Sequence, residues 1–300
     1  MGRALVDYLV ERSWSVIAGT RKGTSIFASD ISQLALGTFP DLVDLSHDLT
    51  NVKTIVHCAG RVHVSQENAK NPLAVFRSVN TDGTMVLARQ AVAAGVERFV
   101  FLSSINVNGH QTHGKPFTAH DALSPTTSYG ISKMEAETSL LNLAKETGLE
   151  VVILRPPLIF SSDPIGNLAT ISRILSKGLP LPFGLATKNK RSLVSARTLA
   201  SLIEVCLTHP KAPGKIFLMA EAKPMHTRAV IERVAHETGQ KAKFIPIPIF
   251  LLRGLLKLAG KTKLDSQLFG DLEVDFSETS EYLGWKPDEH GSERNNKNTA

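Results

Sequence analysis

Short uninterrupted apolar runs alternate with longer stretches of helical spacing through the first half of this chain, and that alternation restricts the fold more than any other feature. The runs lie at residues 15–21, 54–59, 98–103 and 150–155. Each has the length and apolar continuity of a strand buried on both faces. Between them, residues 3–12, 80–94 and 132–147 space their apolar side chains as a helix packed on one side does. Strands that alternate with helices in this way are joined by crossovers, which run the strands parallel. The expected architecture is α/β, a doubly wound parallel sheet with helices on both faces. Pro, Gly and polar residues become frequent from 156 to 184, and a smaller substrate-binding part is expected beyond that break. Segments 198–207 and 216–219 read as returning to the main sheet. After residue 287 the periodicity is lost, which predicts a disordered tail over 288–300.

Charge and cysteines work by exclusion. Lys and Arg total 34 against 28 Asp and Glu, a net charge of +6. Much of that excess reads as scattered surface charge rather than a basic arm, so no nucleic-acid polymer is expected as a partner. Cys58 and Cys206 lie far apart in apolar surroundings. They lack the spacing of metal ligands or of a disulfide framework, so no metal site is expected, and two reduced core residues in a cytoplasmic protein are. Asp7 and Glu11 interrupt the first apolar residues, unlike the core of a secretory signal. The most membrane-like stretch, 244–258, contains Pro246, Pro248, Arg253 and Lys257 and is too short to cross a bilayer. No transmembrane segment is expected. A packed amphipathic helix after a Pro-rich turn is the first reading of 244–258, and weak contact with a membrane surface is the second.

In open parallel sheets, ligands bind beyond the carboxyl ends of the strands. Here those ends run into Ala59-Gly60, Ser103-Ser104 and Arg155-Pro156-Pro157. Small and hydroxyl-bearing residues in the first two let a flat ligand lie close to the backbone. Downstream, Ser128-Tyr129-Gly130-Ile131-Ser132-Lys133 sets a tyrosine and a lysine four apart, on one face of any helix that runs through them. A free phenol ionises near pH ~10. A neighbouring ammonium favours the phenolate and would equip Tyr129 for proton transfer at neutral pH. The spacing alone is common in proteins, but beside Ser104 at a buried strand end it becomes specific. Plainer readings stand beside these: Ser104 as a turn cap, Tyr129 and Lys133 as a surface pair, His57 as a packed residue. His63 reads either as a loop residue or as the border of a ligand site.

These motifs resemble those of extended short-chain dehydrogenases/reductases, in the NAD-dependent epimerase/dehydratase branch that holds nucleotide-sugar epimerases, dehydratases and 4-ketoreductases. The resemblance rests on His57-Cys58-Ala59-Gly60, Val79-Asn80-Thr81-Asp82-Gly83-Thr84, Ser103-Ser104, Tyr129 with Lys133, Arg155-Pro156-Pro157 and Leu283-Gly284-Trp285-Lys286-Pro287. It covers nearly all of the chain through Pro287, and its texture is that of UDP-glucose 4-epimerase-like proteins and UDP-N-acetylquinovosamine 4-ketoreductases. It implies a Rossmann-like NAD(P)-binding domain over 1–160 joined by 187–220, a mainly substrate-binding part over 161–287, and a homodimer built on helices 80–94 and 132–147. Tyr129 would exchange a proton with O4 of a UDP-hexose while hydride moves between C4 and the nicotinamide. Lys133 would bind the nicotinamide ribose and keep the tyrosine acidic, and Ser104 would hydrogen-bond the reacting oxygen. Gly2, Arg21, Ala59, Gly60, Asn80, Ser103 and Pro156 would line the NAD(P) groove with Tyr129 and Lys133. Asn167, Leu168 and Arg191 would join Ser104 in holding the UDP-sugar, Arg191 through its fork of donors.

The departures from the family pattern matter as much. Met1-Gly2-Arg3-Ala4-Leu5 matches only the tail of a Gly-x-x-Gly-x-x-Gly phosphate turn, with Gly2 as the last glycine. The preceding strand and two glycines are not in the sequence, so the expectation is either a start farther upstream or a shortened chain that binds cofactor weakly. Thr20-Arg21-Lys22 stands where an acidic residue would favour NAD, and Arg21 leans the choice towards NADP while leaving NAD open. Gly37-Thr38-Phe39 replaces an acidic contact to adenine, Phe160-Ser161-Ser162 replaces Tyr-Gly-Pro, and the helix usual after Gly-Trp-x-Pro gives way to Ser292-Glu293-Arg294-Asn295-Asn296. Ile105-Asn106 occupies the place of the dehydratases' Asp-Glu pair, which argues against 4,6-dehydration. Two other functions stay open: reduction of a non-sugar carbonyl of the steroid or flavonoid kind, and nucleotide binding without catalysis by a truncated homologue.

Overall fold

A computed structural model describes residues 1–22, 27–62, 70–161, 164 and 166–287, so His63, Ser162 and the tail 288–300 lie outside the described residues. At the centre is a four-stranded parallel sheet in the order Ile216–Leu218, Glu150–Arg155, Arg98–Leu102, Thr54–His57. The two inner strands read RFVFL and EVVILR, β-branched and aromatic sequences that suit a pleated surface covered on both sides. All of the first and all but Glu150 of the second are buried.

Alternate residues of these strands feed two separate cores, as the period of two requires. On one face Val100, Leu102, Val152 and Leu154 pack with Leu5 and Leu9 of the Gly2–Val10 helix and Leu199 and Ile203 of the Ala196–Thr208 helix. On the other, Phe99, Phe101, Val151 and Ile153 meet Leu87 and Ala91 of the Gly83–Ala93 helix and Leu140 and Leu143 of the Ser128–Thr147 helix.

A smaller parallel sheet pairs Ile17–Thr20 with Ser32–Ala35. Val16 joins the first core with Val56, and Leu34 and Leu36 join the second with Ile55, so both sheets share the same two layers. The expectation that residues 15–21 form a strand buried on both faces is not met. Only Ala18 is buried within the strand, and Ile17 is 50% exposed. A two-stranded sheet has no inner strand, and its partner SQLA is itself polar and partly exposed.

Two helix boundaries move for local reasons. The helix expected over 80–94 is a π-helical turn at Ser78–Asp82 running into a helix at Gly83–Ala93, and a further helix at Pro72–Arg77 precedes them. The helix expected from residue 132 begins at Ser128, because the Thr127 side chain accepts the Gly130 N–H and caps it there. It ends at Gly148, whose φ of 80° gives a left-handed stop. Tyr129 therefore sits in the first turn. In the second half, Leu158–Phe160 pairs with Leu193–Ser195, and a third core joins Phe160, Leu168 and Leu175 to Val230, Ile231 and Val234. The helix expected after the Pro246–Pro248 turn runs over Ile249–Leu258, but none of its residues is buried, so it is not packed into a core.

Candidate active site

The Arg98–Leu102 strand runs out into Ser103 and Ser104 at the carboxyl end of the sheet, where both are buried. Ser103 N–H still donates to Leu154 O at 2.8 Å, and Ile105 N–H donates to Pro156 O at 3.0 Å, which fixes the turn. Ser104 Oγ accepts the Asn106 N–H at 3.2 Å and caps the 3-10 turn Ile105–Val107. The same hydroxyl hydrogen-bonds the Tyr129 phenol in the sense that favours the phenolate. Capping and a contact with the reactive phenol are thus the work of one side chain. The close approach depends on Gly130, where an added Cβ would stand 2.7 Å from Asn106 O. Phe76 closes the other side, edge-on to the Tyr129 ring at 6.3 Å.

Lys133, one turn further, is 3% exposed. Its Nζ donates to Leu102 O at 2.9 Å and lies 4.3 Å from the centre of the Phe101 ring. Burial pushes its pKa down to about 8, opposed by Cys58 and Glu137. The expected acidification of Tyr129 by this ammonium is not found. Burial pushes the phenol up to about 12, and the opposing influence comes from Ser104. The reason is geometric: Lys133 Nζ is turned to the carbonyl of Leu102 at the strand end.

Beside Lys133 the loop after Thr54–His57 is drawn tight. An added Cβ at Gly60 would meet Asn80 Oδ1 at 3.2 Å and Lys133 Nζ at 3.4 Å. Asn80 is buried and fully engaged: its Oδ1 accepts Arg61 N–H at 2.7 Å, and its Nδ2 donates to Arg61 O and Ser132 Oγ, each at 3.0 Å. It therefore locks the Gly60 loop to the helix that carries Tyr129. Ala59 and Gly60 themselves are exposed at the mouth. Ser103 Oγ is buried without a hydrogen-bond partner. A buried hydroxyl left unpaired at the strand end suits a flat, polar-edged ring such as a nicotinamide.

Other sequence-predicted residues fall elsewhere. Gly2 begins its helix against the end of the Thr54–His57 strand, its missing Cβ 3.8 Å from Cys58 Cβ. Arg21 is exposed after the Ile17–Thr20 strand, and Pro156 is buried. Leu168 was expected at the substrate, but it is 3% exposed and packs in the third core, so only its backbone is free to reach a ligand. The Asn167 side chain lies outside the described residues. Arg191 is turned inward. Its Nη1 donates to Gly270 O at 3.1 Å and Ser266 O at 3.5 Å, and burial lowers its pKa.

His57 is a packed residue: Nε2 pairs with Thr84 Oγ1 at 3.0 Å, the ring stacks on Phe101, and burial lowers its pKa to about 3. Cys58 and Cys206 are free thiols, Cys206 buried and Cys58 half-buried. Among the described residues no three His, Cys, Asp or Glu cluster as metal ligands would, and no helix is long and apolar enough to cross a membrane.

The sequence reading missed the ion pair behind the site. Arg155, 2% exposed, bonds Glu137 through Nη2 at 2.7 Å and Nε at 3.0 Å, and reaches Asn108 Oδ1 at 3.2 Å. Glu137 follows Lys133 by four residues and so continues the same inward face of the helix.

Comparison with known proteins agrees with this arrangement. A model of the NAD dependent epimerase/dehydratase family matches residues 1–220. A UDP-glucose 4-epimerase of Vibrio cholerae is 44% identical over 245 residues, 81% of this chain and 75% of that protein. The crystal structure of a UDP-glucose 4-epimerase from Thermotoga maritima, solved with UDP-glucose, has a TM-score of 0.73, with 96% of this chain and 91% of that one covered at 18% identity. The Bordetella bronchiseptica enzyme WbmG, solved with NAD and UDP, gives 0.66 over 95% and 84% at 18% identity. These two structures speak for the α/β fold with its parallel sheet. The family match over most of the chain and the Vibrio relative carry the assignment further: the protein belongs to the NAD dependent epimerase/dehydratase family of sugar-nucleotide enzymes.

Proposed function

We propose that this chain oxidises and reduces C4 of a UDP-hexose, as a 4-epimerase or 4-ketoreductase. The observation that carries the reading is the meeting of Tyr129, Ser104 and Lys133 at one strand end, with the unpaired Ser103 hydroxyl and Gly60 beside them. Ser103, Gly60 and Lys133 would hold the dinucleotide, in a loop braced by Asn80, with Gly2 and Arg21 nearer its phosphates. A nicotinamide bound there supplies the acceptor or donor of hydride. Tyr129 gives its proton to a C4 carbonyl oxygen as hydride arrives, and in the oxidative direction its phenolate takes the proton of the C4 hydroxyl as hydride leaves. Ser104 holds that oxygen and steadies the phenolate between the two steps. Arg191 and the Asn167 region would engage the UDP diphosphate. Ile105 and Asn106 offer no acid and base for dehydration.

Incubation with UDP-glucose and catalytic NAD tests the reading. Formation of UDP-galactose without net NADH identifies the epimerase. Turnover only with a 4-keto sugar and stoichiometric NAD(P)H identifies the reductase. Failure with both, together with turnover of an apolar ketone, would refute the sugar reading.

A further inference from the structure

The helix Ile249–Leu258, sequence IFLLRGLLKL, is apolar nearly all round, yet none of its residues is buried. Helices of such composition normally sit in a core or in a bilayer. Here Phe250 is 72% exposed, Leu251 49%, Leu255 64% and Leu258 88%. At about 100° per residue these four share one side of the helix, and Lys257 lies on its margin. Arg253, on the polar flank, is held by Asp265 at 2.9 and 3.1 Å, which fixes the helix to the next one and leaves the apolar side facing outward. No residue of the helix belongs to any of the hydrophobic cores found among the described residues.

The charge around this helix is lopsided. Between Glu237 and Asp265 the chain carries Lys241, Lys243, Arg253, Lys257, Lys261 and Lys263 and no acidic residue. These six charges equal the whole protein's net +6, so the rest of the chain is balanced. The positive excess that reads as scattered along the sequence falls in the one segment that contains this exposed apolar helix.

We infer that this ridge docks on an anionic lipid surface. Phe250, Leu251, Leu255 and Leu258 enter the headgroup boundary, and Lys257 and Lys261 meet lipid phosphates. A second copy of the chain is disfavoured as the occupant, because a two-fold contact sets this segment against itself and brings like charges together.

Sedimentation of the full chain with extruded vesicles tests the inference. The protein is expected to pellet with phosphatidylcholine vesicles containing phosphatidylglycerol, to stay in solution with phosphatidylcholine alone, and to be released by high salt. Lys257→Gln and Lys261→Gln should each weaken the partition about fivefold. Phe250→Ser, at an exposed position the fold does not need, should weaken it about tenfold or more. Pelleting with neither vesicle, equal pelleting with both, or binding indifferent to all three substitutions would overturn the inference. So would a dimer that dissociates in Phe250→Ser, which would give the ridge to a second copy.

Discussion

Lys133 Nζ donates to Leu102 O at 2.9 Å, joining the helix that presents Tyr129 to the strand that ends in Ser104. The ammonium is spent on positioning and on the groove beside Gly60 rather than on the phenol. Its role in the free protein is therefore to hold the site together and to offer a positive charge to a ligand in that groove.

That charge is pH-sensitive in a known direction. An ordinary lysine keeps its proton to about 10.5, but burial lowers Lys133 to about 8. A folded pKa below the unfolded one means that the buried ammonium opposes folding below pH 8, and that this penalty fades as pH rises towards 10.5. For binding the sign reverses. NAD(P) affinity should decline as pH rises above 8 and the ammonium is lost, at most about tenfold per unit. Calorimetric titration at pH 7, 8 and 9.5 measures it, with Lys133→Met as a variant that binds weakly and shows no such slope. A flat wild-type profile would exclude Lys133 as the ligand-facing charge.

Gly130 sets the distance between Tyr129 and Ser104. A Cβ there would stand 2.7 Å from a backbone oxygen, Asn106 O, which cannot swing aside as a side-chain tip can. Gly130→Ala should push the first turn of the helix away from the Ile105–Val107 turn. We expect kcat to fall about tenfold to a hundredfold from a misplacement of under 1 Å, with KM for the UDP-sugar little changed. A fall in KM alone, or unchanged kinetics, would show that the contact does not position the phenol.

How much of this was legible in the sequence depends on what each residue's neighbours revealed. Tyr129, Lys133 and Ser104 could be found because a strand-end rule and a helical spacing converge on them. Glu137 has the same spacing from Lys133, but a glutamate in a helix reads as surface, and only the fold shows Arg155 arriving from the neighbouring strand. Phe76 lies in a six-residue helix, too short to display a period. The π-helical turn that seats Asn80 adds a residue to the spiral, which a fixed 3.6-residue pattern cannot register. Leu168 was assigned by its neighbourhood in the sequence, whereas its side chain is claimed by the third core.

The Arg155–Glu137 pair makes its own prediction. Both side chains are 2% exposed, so removing either partner strands a charge away from water. Arg155→Met should destabilise the protein by about 3–5 kcal/mol in urea unfolding. Arg155→Met with Glu137→Leu removes both charges and should recover most of that loss, because the desolvation penalty goes with them. Additive losses in the double variant would mean that the two residues act independently, against the geometry.

His57 gives the acid side of the stability curve. Its ring is buried between Phe99, Phe101 and Phe39, and its pKa falls from 6.5 to about 3. Above pH 6.5 the imidazole is neutral in both folded and unfolded chains, and its contribution is fully present. As pH falls from 6.5 towards 3 the unfolded chain takes up a proton that the folded one refuses, so stability is lost at up to about 1.4 kcal/mol per pH unit. His57→Asn cannot take up that proton. It should be less stable than the wild type at pH 7.5, where lost ring packing dominates, and should close the gap as pH drops to 4.5. Urea midpoints across that range measure both slopes. Parallel slopes would show that the acid sensitivity of the fold has its origin in other groups.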